Sequence, residues 1–198
     1  PPLFAKLPWD HANDLVPVTT LAVTPVVLVV AANSPFKTAQ ELFEHARKNP
    51  GKLNFGSGGN GSSTHLSAEV LKKEGKLFIT HIPYKGAGDA MVGLLGNQVD
   101  LLITAAPTAV PQVQGGKVRA LAVTGDTPLA SLPGVPTFKA VGLPGYTVTN
   151  WFGLAAPMDT PKEVVDKLQA EVKKALADLK VTERFQAMGA RPGGITSA

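Results

Sequence analysis

The sequence predicts an α/β fold, a mostly parallel sheet with helices on both faces. Three observations lead there. Val26-Val27-Leu28-Val29-Val30 is an unbroken aliphatic run of the kind found in a strand buried on both sides. Short apolar segments then alternate with stretches of helical periodicity. Finally, residues 53–65, Leu53-Asn54-Phe55-Gly56-Ser57-Gly58-Gly59-Asn60-Gly61-Ser62-Ser63-Thr64-His65, carry a strand through a glycine-rich turn into a helix.

After the strand at 26–30, Ser34-Pro35-Phe36-Lys37-Thr38 leads into a helix over 38–48, ended by Asn49-Pro50-Gly51. A strand at 53–56, a helix at 63–74 closed by Gly75, and a strand at 78–84 follow. Next come a helix at 87–96, a strand at 99–104, a short helix at 109–114 stopped by Gly115-Gly116, and a strand at 118–124. Residues 125–145 hold Pro128, Pro133, Pro136 and Pro144 among glycines. Proline fixes φ and removes a donor, so this stretch reads as a rigid ordered loop. It runs into a second long strand at 146–154. Thr160-Pro161-Lys162-Glu163 has the pattern of a capping box with proline at the first helical position. The helix at 161–177 places Val164, Val165, Leu168, Val172, Ala175 and Leu176 at helical spacing, and a last helix at 181–188 stops at Gly189.

The glycine turn is the feature that speaks to function. Glycines permit tight turns and close backbone approach. The helix that follows presents unpaired N–H groups and the positive end of its dipole. The pair makes a pocket for an anion such as a carboxylate, phosphate or sulfate. Gly56, Gly58 and Gly61 satisfy G-x-G-x-x-G, but the next strand ends in Tyr84-Lys85-Gly86 without the carboxylate a ribose requires. The Walker pattern fails as well, since no Lys-Ser or Lys-Thr follows the last glycine. A plain strand-to-helix turn is the alternative. Ser62, Ser63 and Thr64, placed where an N-cap belongs, favour the anion site.

Composition bounds the rest. The 198 residues, 44% hydrophobic, suffice for one large or two modest domains. The formal charge of +4 is scattered, without the basic, aromatic-interleaved face of a nucleic-acid binder. Zero cysteines exclude disulfides, thiolate metal sites and a cysteine nucleophile. No signal peptide stands at Pro1, and the longest apolar stretch, 21–32, is too short to span a bilayer and contains Pro25. His11, His45 and His81 show no metal-ligand spacing, so neither metal nor cofactor is expected.

A series of motifs carries a family resemblance. Lys6-Leu7-Pro8-Trp9-Asp10, Pro50-Gly51-Lys52-Leu53-Asn54, the glycine loop with Thr64-His65-Leu66, and Pro83-Tyr84-Lys85-Gly86 come first. Leu94-Leu95-Gly96-Asn97-Gln98-Val99-Asp100, Gly116-Lys117-Val118-Arg119-Ala120-Leu121-Ala122-Val123-Thr124 and Trp151-Phe152-Gly153-Leu154-Ala155-Ala156-Pro157 continue in order. Together they resemble the Bug receptors, periplasmic solute-binding subunits of bacterial tripartite tricarboxylate transporters. The resemblance implies a periplasmic-binding-protein-like, type II Venus-flytrap of two α/β lobes joined by two crossing strands, closing on an organic acid. On that pattern residues 1–26 belong to lobe one, 27–151 form lobe two and 152–198 return to lobe one. Such a receptor begins before Pro1 and has a helix after Ala198, so lobe one is expected to be incomplete. The implied partners are a small organic acid and membrane transporter subunits, for a periplasmic monomer that neither binds nucleic acid nor inserts in the membrane.

The family holds a ligand carboxylate between two glycine-containing loops, one per lobe. The lobe-two loop matches Ser57, Gly58, Gly59, Asn60, Ser63 and Thr64; the lobe-one loop, an Ala-Gly-Gly-type turn, has no counterpart here. Ser57, Ser63 and Thr64 are candidate donors to the carboxylate, or else helix caps. Tyr84 lies at the carboxyl end of a strand, where α/β sheets bind ligands. The segment after the third strand reads Thr104-Ala105-Ala106-Pro107-Thr108, and its alanines, Ala106 included, imply a less polar distal pocket. Phe152, beside Trp151, is a candidate apolar wall. His65 is read as a packing or capping residue. The competing class is a hydrolase acting on a small acid or ester. Ser57 or Ser63 with His65 or His81 supplies a nominal nucleophile and base, but no G-x-S-x-G elbow or orienting acid accompanies them. No catalytic residue is therefore expected.

Overall fold

The structure is a computed structural model and describes residues 8–10 and 13–193. Lys6, Leu7 and His11, and the outer ends of segments 1–26 and 152–198, lie outside the described residues. The elements run β1 (Leu15–Ala31), α1 (Ala39–Lys48), β2 (Asn54–Ser57), α2 (Ser63–Gly75), β3 (Thr80–Pro83), α3 (Ala87–Leu95) and β4 (Leu101–Ala105). They continue with α4 (Ala106–Gln114), β5 (Val118–Val123), β6 (Thr149–Pro157), α5 (Lys162–Ala177), α6 (Leu179–Ala187) and β7 (Arg191–Pro192). Two compact units result, Thr24–Asn150 and Pro1–Val23 with Trp151–Ala198.

The larger unit is built on a sheet of order β3-β2-β4-β1-β5. β2 pairs in parallel with β3, Asn54↔Thr80 to Ser57↔Pro83, and with β4 through Phe55↔Leu101 and Gly56↔Leu102. β1 is antiparallel to both its neighbours, with Val27↔Thr104 against β4 and Val27↔Val123 against β5. The expected mostly parallel sheet is therefore mixed, with its most buried strand running against the rest. An aliphatic run carries no mark of direction, which is why the sequence pattern did not reveal this.

Burial on both faces holds as expected: Val26, Val27, Leu28, Val29 and Val30 are all fully buried. Val26, Leu28 and Val30 pack with Leu42 and Phe43 of α1 and Leu71 of α2. Val27 and Val29 pack on the opposite side with Met91 and Leu94 of α3 and Val110 of α4. Because a strand alternates its side chains, each helix layer is served by every second residue of one run. Residues 125–145 are ordered by the same core. Leu132, Phe138, Val141 and Leu143 are buried, and Tyr146 after them donates from its hydroxyl to the Ser67 carbonyl at 3.0 Å. Burial pushes that phenol well above its usual pKa.

Several boundaries differ from expectation for local reasons. β6 starts at Thr149 rather than 146, since Tyr146 is held in a turn by its N–H on Leu143. α4 begins at Ala106, three residues early, because proline is tolerated in a first turn. The capping box at Thr160 does not form. Thr160 closes a turn onto the Pro157 carbonyl, Pro161 stays extended at ψ 136°, and α5 begins at Lys162 without a side-chain cap. A complete capping box stands instead on α1, between Thr38 and Glu41.

In the smaller unit β1 pairs with β7 at Ala22↔Pro192 and Val23↔Arg191, and with β6. The Gln169 amide of α5 donates to the Val18 carbonyl at 3.0 Å. Neither α5 nor α6 has a buried residue, and the apolar positions Val164 and Leu168 are exposed.

The two-sided burial of β1 makes a clear demand on stability. Leu28→Ala leaves a cavity under α1 and should cost about 2–5 kcal/mol, read as a lower midpoint in urea unfolding. Val164→Ala on exposed α5 should cost less than about 1 kcal/mol by the same measurement.

Candidate functional site

At the carboxyl end of β2 the chain turns through residues 58–62 before α2 begins. Gly59 and Gly61 take φ of 119° and 77°, which side chains rarely adopt. Gly58 needs its missing Cβ for a different reason: one built there would stand 3.1 Å from the Ala87 amide nitrogen. The glycine turn thus lies directly against the start of α3.

The turn is held largely by its own polar groups. The Ser57 hydroxyl accepts from the Gly59 N–H at 3.1 Å and lies 3.2 Å from the Gly59 carbonyl. Thr64 Oγ1 accepts from the Gly58 N–H at 2.9 Å, and His65 Nδ1 accepts from the Gly61 N–H at 3.1 Å. Ser62 is the N-cap of α2, its hydroxyl accepting from the His65 N–H. Ser62 Oγ and Thr64 Oγ1 are 3.0 Å apart. That contact consumes one of their two hydroxyl protons and leaves the other for a further acceptor. The amides of Asn60, Ser63 and Thr64 have no hydrogen-bond acceptor among the described residues. Donors therefore converge at the amino end of α2, where the dipole favours an anion.

The sequence candidates separate into three groups. Gly58, Gly59, Asn60, Ser63 and Thr64 sit together in this turn, with Asn60 and Ser63 exposed and Thr64 buried. Ser57 is in the same turn but is only 1% exposed, with its hydroxyl directed into the loop and onto His81. Tyr84 borders the turn through its carbonyl, 3.3 Å from a Cβ built on Gly59, while its hydroxyl donates to Gln98 at 3.3 Å. Ala106, expected as a pocket wall, has its methyl fully buried in the core among Val27 and Val110. Only its backbone, at the start of α4, remains to serve a ligand. Phe152 lies on β6 in the other unit and is half exposed.

Two neighbours were not singled out as ligand-facing groups by sequence. Thr104 lines the same narrow space as Ser57, Gly58 and Thr64, and its buried hydroxyl has no hydrogen-bond partner. Its signal was the position at the carboxyl end of a strand adjoining β2. His81 is the second. Its Nε2 lies 2.6 Å from Ser57 Oγ, its ring stacks on His65 with centroids 4.0 Å apart, and Phe55 closes the stack at 4.8 Å. Phe55, Ser57 and His81 share one face of two parallel strands, so period-two alternation was the available signal.

A serine hydroxyl beside an imidazole is the arrangement a hydrolase needs, but this pair lacks the other requirements. Ser57 is buried, and its oxygen already accepts from Gly59. Glu69, the nearby carboxylate, stands 3.8 Å from His65 Nε2 and is paired with Lys72 at 2.7 Å.

The fold and the turn define a class: an α/β unit with an anion-directed helix terminus at the carboxyl edge of its sheet, as in solute-binding proteins. The chain belongs to the tripartite tricarboxylate transporter family receptors, whose family model matches residues 1–193. That is a family of transport receptors, not of enzymes. The chain is 38% identical over 192 residues to the protein of the tcbD-tcbE intergenic region of Pseudomonas sp. strain P51, covering 96% of this chain and 57% of that one. Among solved structures it is similar to R. palustris Rpa4515 with adipate, at 34% identity and TM-score 0.93, covering 98% of this chain and 65% of that one. It is also similar to MatC from Rhodopseudomonas palustris with bound malate, at 34% identity and TM-score 0.89, covering 96% and 65%. The chain thus spans little more than half the length of that curated relative and just under two thirds of these structures.

The imidazole stack has a consequence for pH. The His81 pKa lies below its ordinary 6.5, first through burial, then through His65, with Lys72 adding to the effect and Glu69 opposing it. The unfolded chain then binds more protons than the folded one between the two pKa values. Stability should be full above 6.5 and fall as pH drops towards the lowered value. Thermal unfolding between about pH 7.5 and about pH 5 should show this loss, and His81→Gln should reduce it.

Proposed function

We propose that the whole protein is an extracytoplasmic solute receptor that binds a small organic acid and delivers it to the membrane subunits of a tripartite tricarboxylate-type transporter. The observation that carries this reading is the glycine turn at the amino end of α2, where three unpaired amides and a spare hydroxyl proton lie within five residues. Adipate and malate, held by the two Rhodopseudomonas relatives, are both small carboxylates. The receptor acts in the periplasm as a monomer, and among the described residues no helix is long and apolar enough to cross a membrane.

In this reading the unit 24–150 is the second lobe of a Venus-flytrap, and the other unit is part of the first. β1 and β6, each with residues in both units, are the two crossing strands. The unpaired amides of Asn60, Ser63 and Thr64 donate to one carboxylate group together with the Ser62–Thr64 hydroxyl pair, while the bare backbones of Gly58 and Gly59 let it approach closely. Tyr84 borders the site. The backbone at Ala106 and the ring of Phe152 serve the less polar remainder of the ligand. A ligand touching both lobes gains more contact in the closed form and shifts the population towards it.

A thermal-shift screen of organic acids on the full-length receptor should give hits only among carboxylates. The ligand at a hundred times its Kd should stabilise by about 2.7 kcal/mol. Hits confined to nucleotides or neutral sugars would overturn the reading, and turnover of a bound ester would favour the hydrolase.

The turn itself is open to mutation. Gly59→Val, at a φ that valine rarely adopts, and Gly58→Val, against the Ala87 amide, should abolish binding. Thr64→Ala should weaken it by about 0.5–1.5 kcal/mol, or up to about 3 if its hydroxyl meets the charge. Unchanged calorimetric affinity in all three, each shown to be folded by circular dichroism, would place the site elsewhere.

A further inference from the structure

A turn with glycines at 58, 59 and 61 has little conformational preference of its own, so its shape depends on what its amides bond to. Three side-chain atoms supply those bonds: Thr64 Oγ1 on Gly58, Ser57 Oγ on Gly59 and His65 Nδ1 on Gly61. Two of the three lead back to one imidazole. His81, on the neighbouring strand β3, is 2.6 Å from Ser57 Oγ through Nε2, and its ring lies flat against His65, 9° from parallel. Phe55, under Lys72 at 5.6 Å, backs the stack.

We propose that His81 and His65 are positioning residues for the anion site, His81 acting through the Ser57 hydroxyl and His65 through the Gly61 amide, so that the stacked pair holds the glycine turn in the shape that receives a carboxylate. The proposal rests on the receptor reading and adds to it residues that touch no ligand. Ser57 bonds to His81 whichever of the two atoms donates, and that fixes where its lone pair meets Gly59. Preorganisation of this kind lowers the ordering cost a ligand otherwise meets. It also accounts for a buried serine and two stacked imidazoles beside a site that performs no catalysis.

The test uses the full-length receptor and two readouts. His81→Phe keeps an aromatic ring stacked with Phe55 and His65 but has no atom that can bond to the Ser57 hydroxyl. In His81→Gln the terminal amide stands where Nε2 does. Hydrogen exchange without ligand should be about tenfold faster at residues 58–61 in His81→Phe and in Ser57→Ala, with core amides of β1 and β4 unaffected. His81→Gln should stay near the wild type. Calorimetry with adipate and malate should show affinity about tenfold weaker in His81→Phe and in Ser57→Ala, and the double variant no weaker than Ser57→Ala alone. Equal exchange at 58–61 in wild type, His81→Phe and Ser57→Ala would overturn the proposal, as would losses of affinity that add in the double variant. If His81→Phe fails to fold, Ser57→Ala tests the same link from the other side. Should the wild type bind no carboxylate at all, the receptor reading fails, while the exchange comparison still decides whether the imidazoles brace the turn.

Discussion

A strand with apolar side chains on both faces has to be covered on both faces, and residues 26–30 impose that requirement on everything around them. Covering one side recruits α1 and α2, and covering the other recruits α3 and α4. Those helices alternate with β2, β3, β4 and β5, so the turns that follow β2 and β4 come to one edge of the sheet. The glycine turn and the buried hydroxyl of Thr104 meet there. The candidate site is thus a by-product of how a fully buried strand is sheltered.

Much of this was legible in advance because the signals are local. An aliphatic run, a glycine cluster and hydroxyls before a helix each announce themselves within a few residues, and the family motifs span most of the chain. What stayed hidden depends on partners distant in sequence. The direction of β1 relative to β4 has no local signature. Ser57 was read as a carboxylate donor or a cap, and its burial and its pairing with a residue 24 positions away had no local mark. Ala106 looked like a pocket wall, and only the packing of α4 shows its methyl facing the core. Thr160 had the letters of a cap, but the turn ahead of it placed the helix start elsewhere.

The glycine turn shows how a permissive backbone can be made specific. Glycine admits the required φ at 59 and 61 and the close approach at 58, and the same freedom would let the turn wander. Each of these three amides is met by a side-chain acceptor, one on the preceding strand and two on the following helix. Of the amides left over, those of Ser63 and Thr64 are ones the helix geometry strands at its start, and that of Asn60 belongs to the turn before the cap. Division of the donors between those that brace the turn and those left without an acceptor is what separates it from an ordinary connection.

The stretch between β5 and β6 carries one more consequence. Its prolines and glycines give it the composition of a spacer, the kind of place where a tag, a fused domain or a protease site is usually introduced. Yet Leu132, Phe138, Val141 and Leu143 are buried in it, and the phenol of Tyr146 ties its end to α2 at Ser67. Tolerance to insertion follows burial and hydrogen bonding rather than composition. The exposed turn at Gly115 and Gly116, between α4 and β5, is the better point of entry for anyone who needs to cut, label or extend this unit while keeping its core whole.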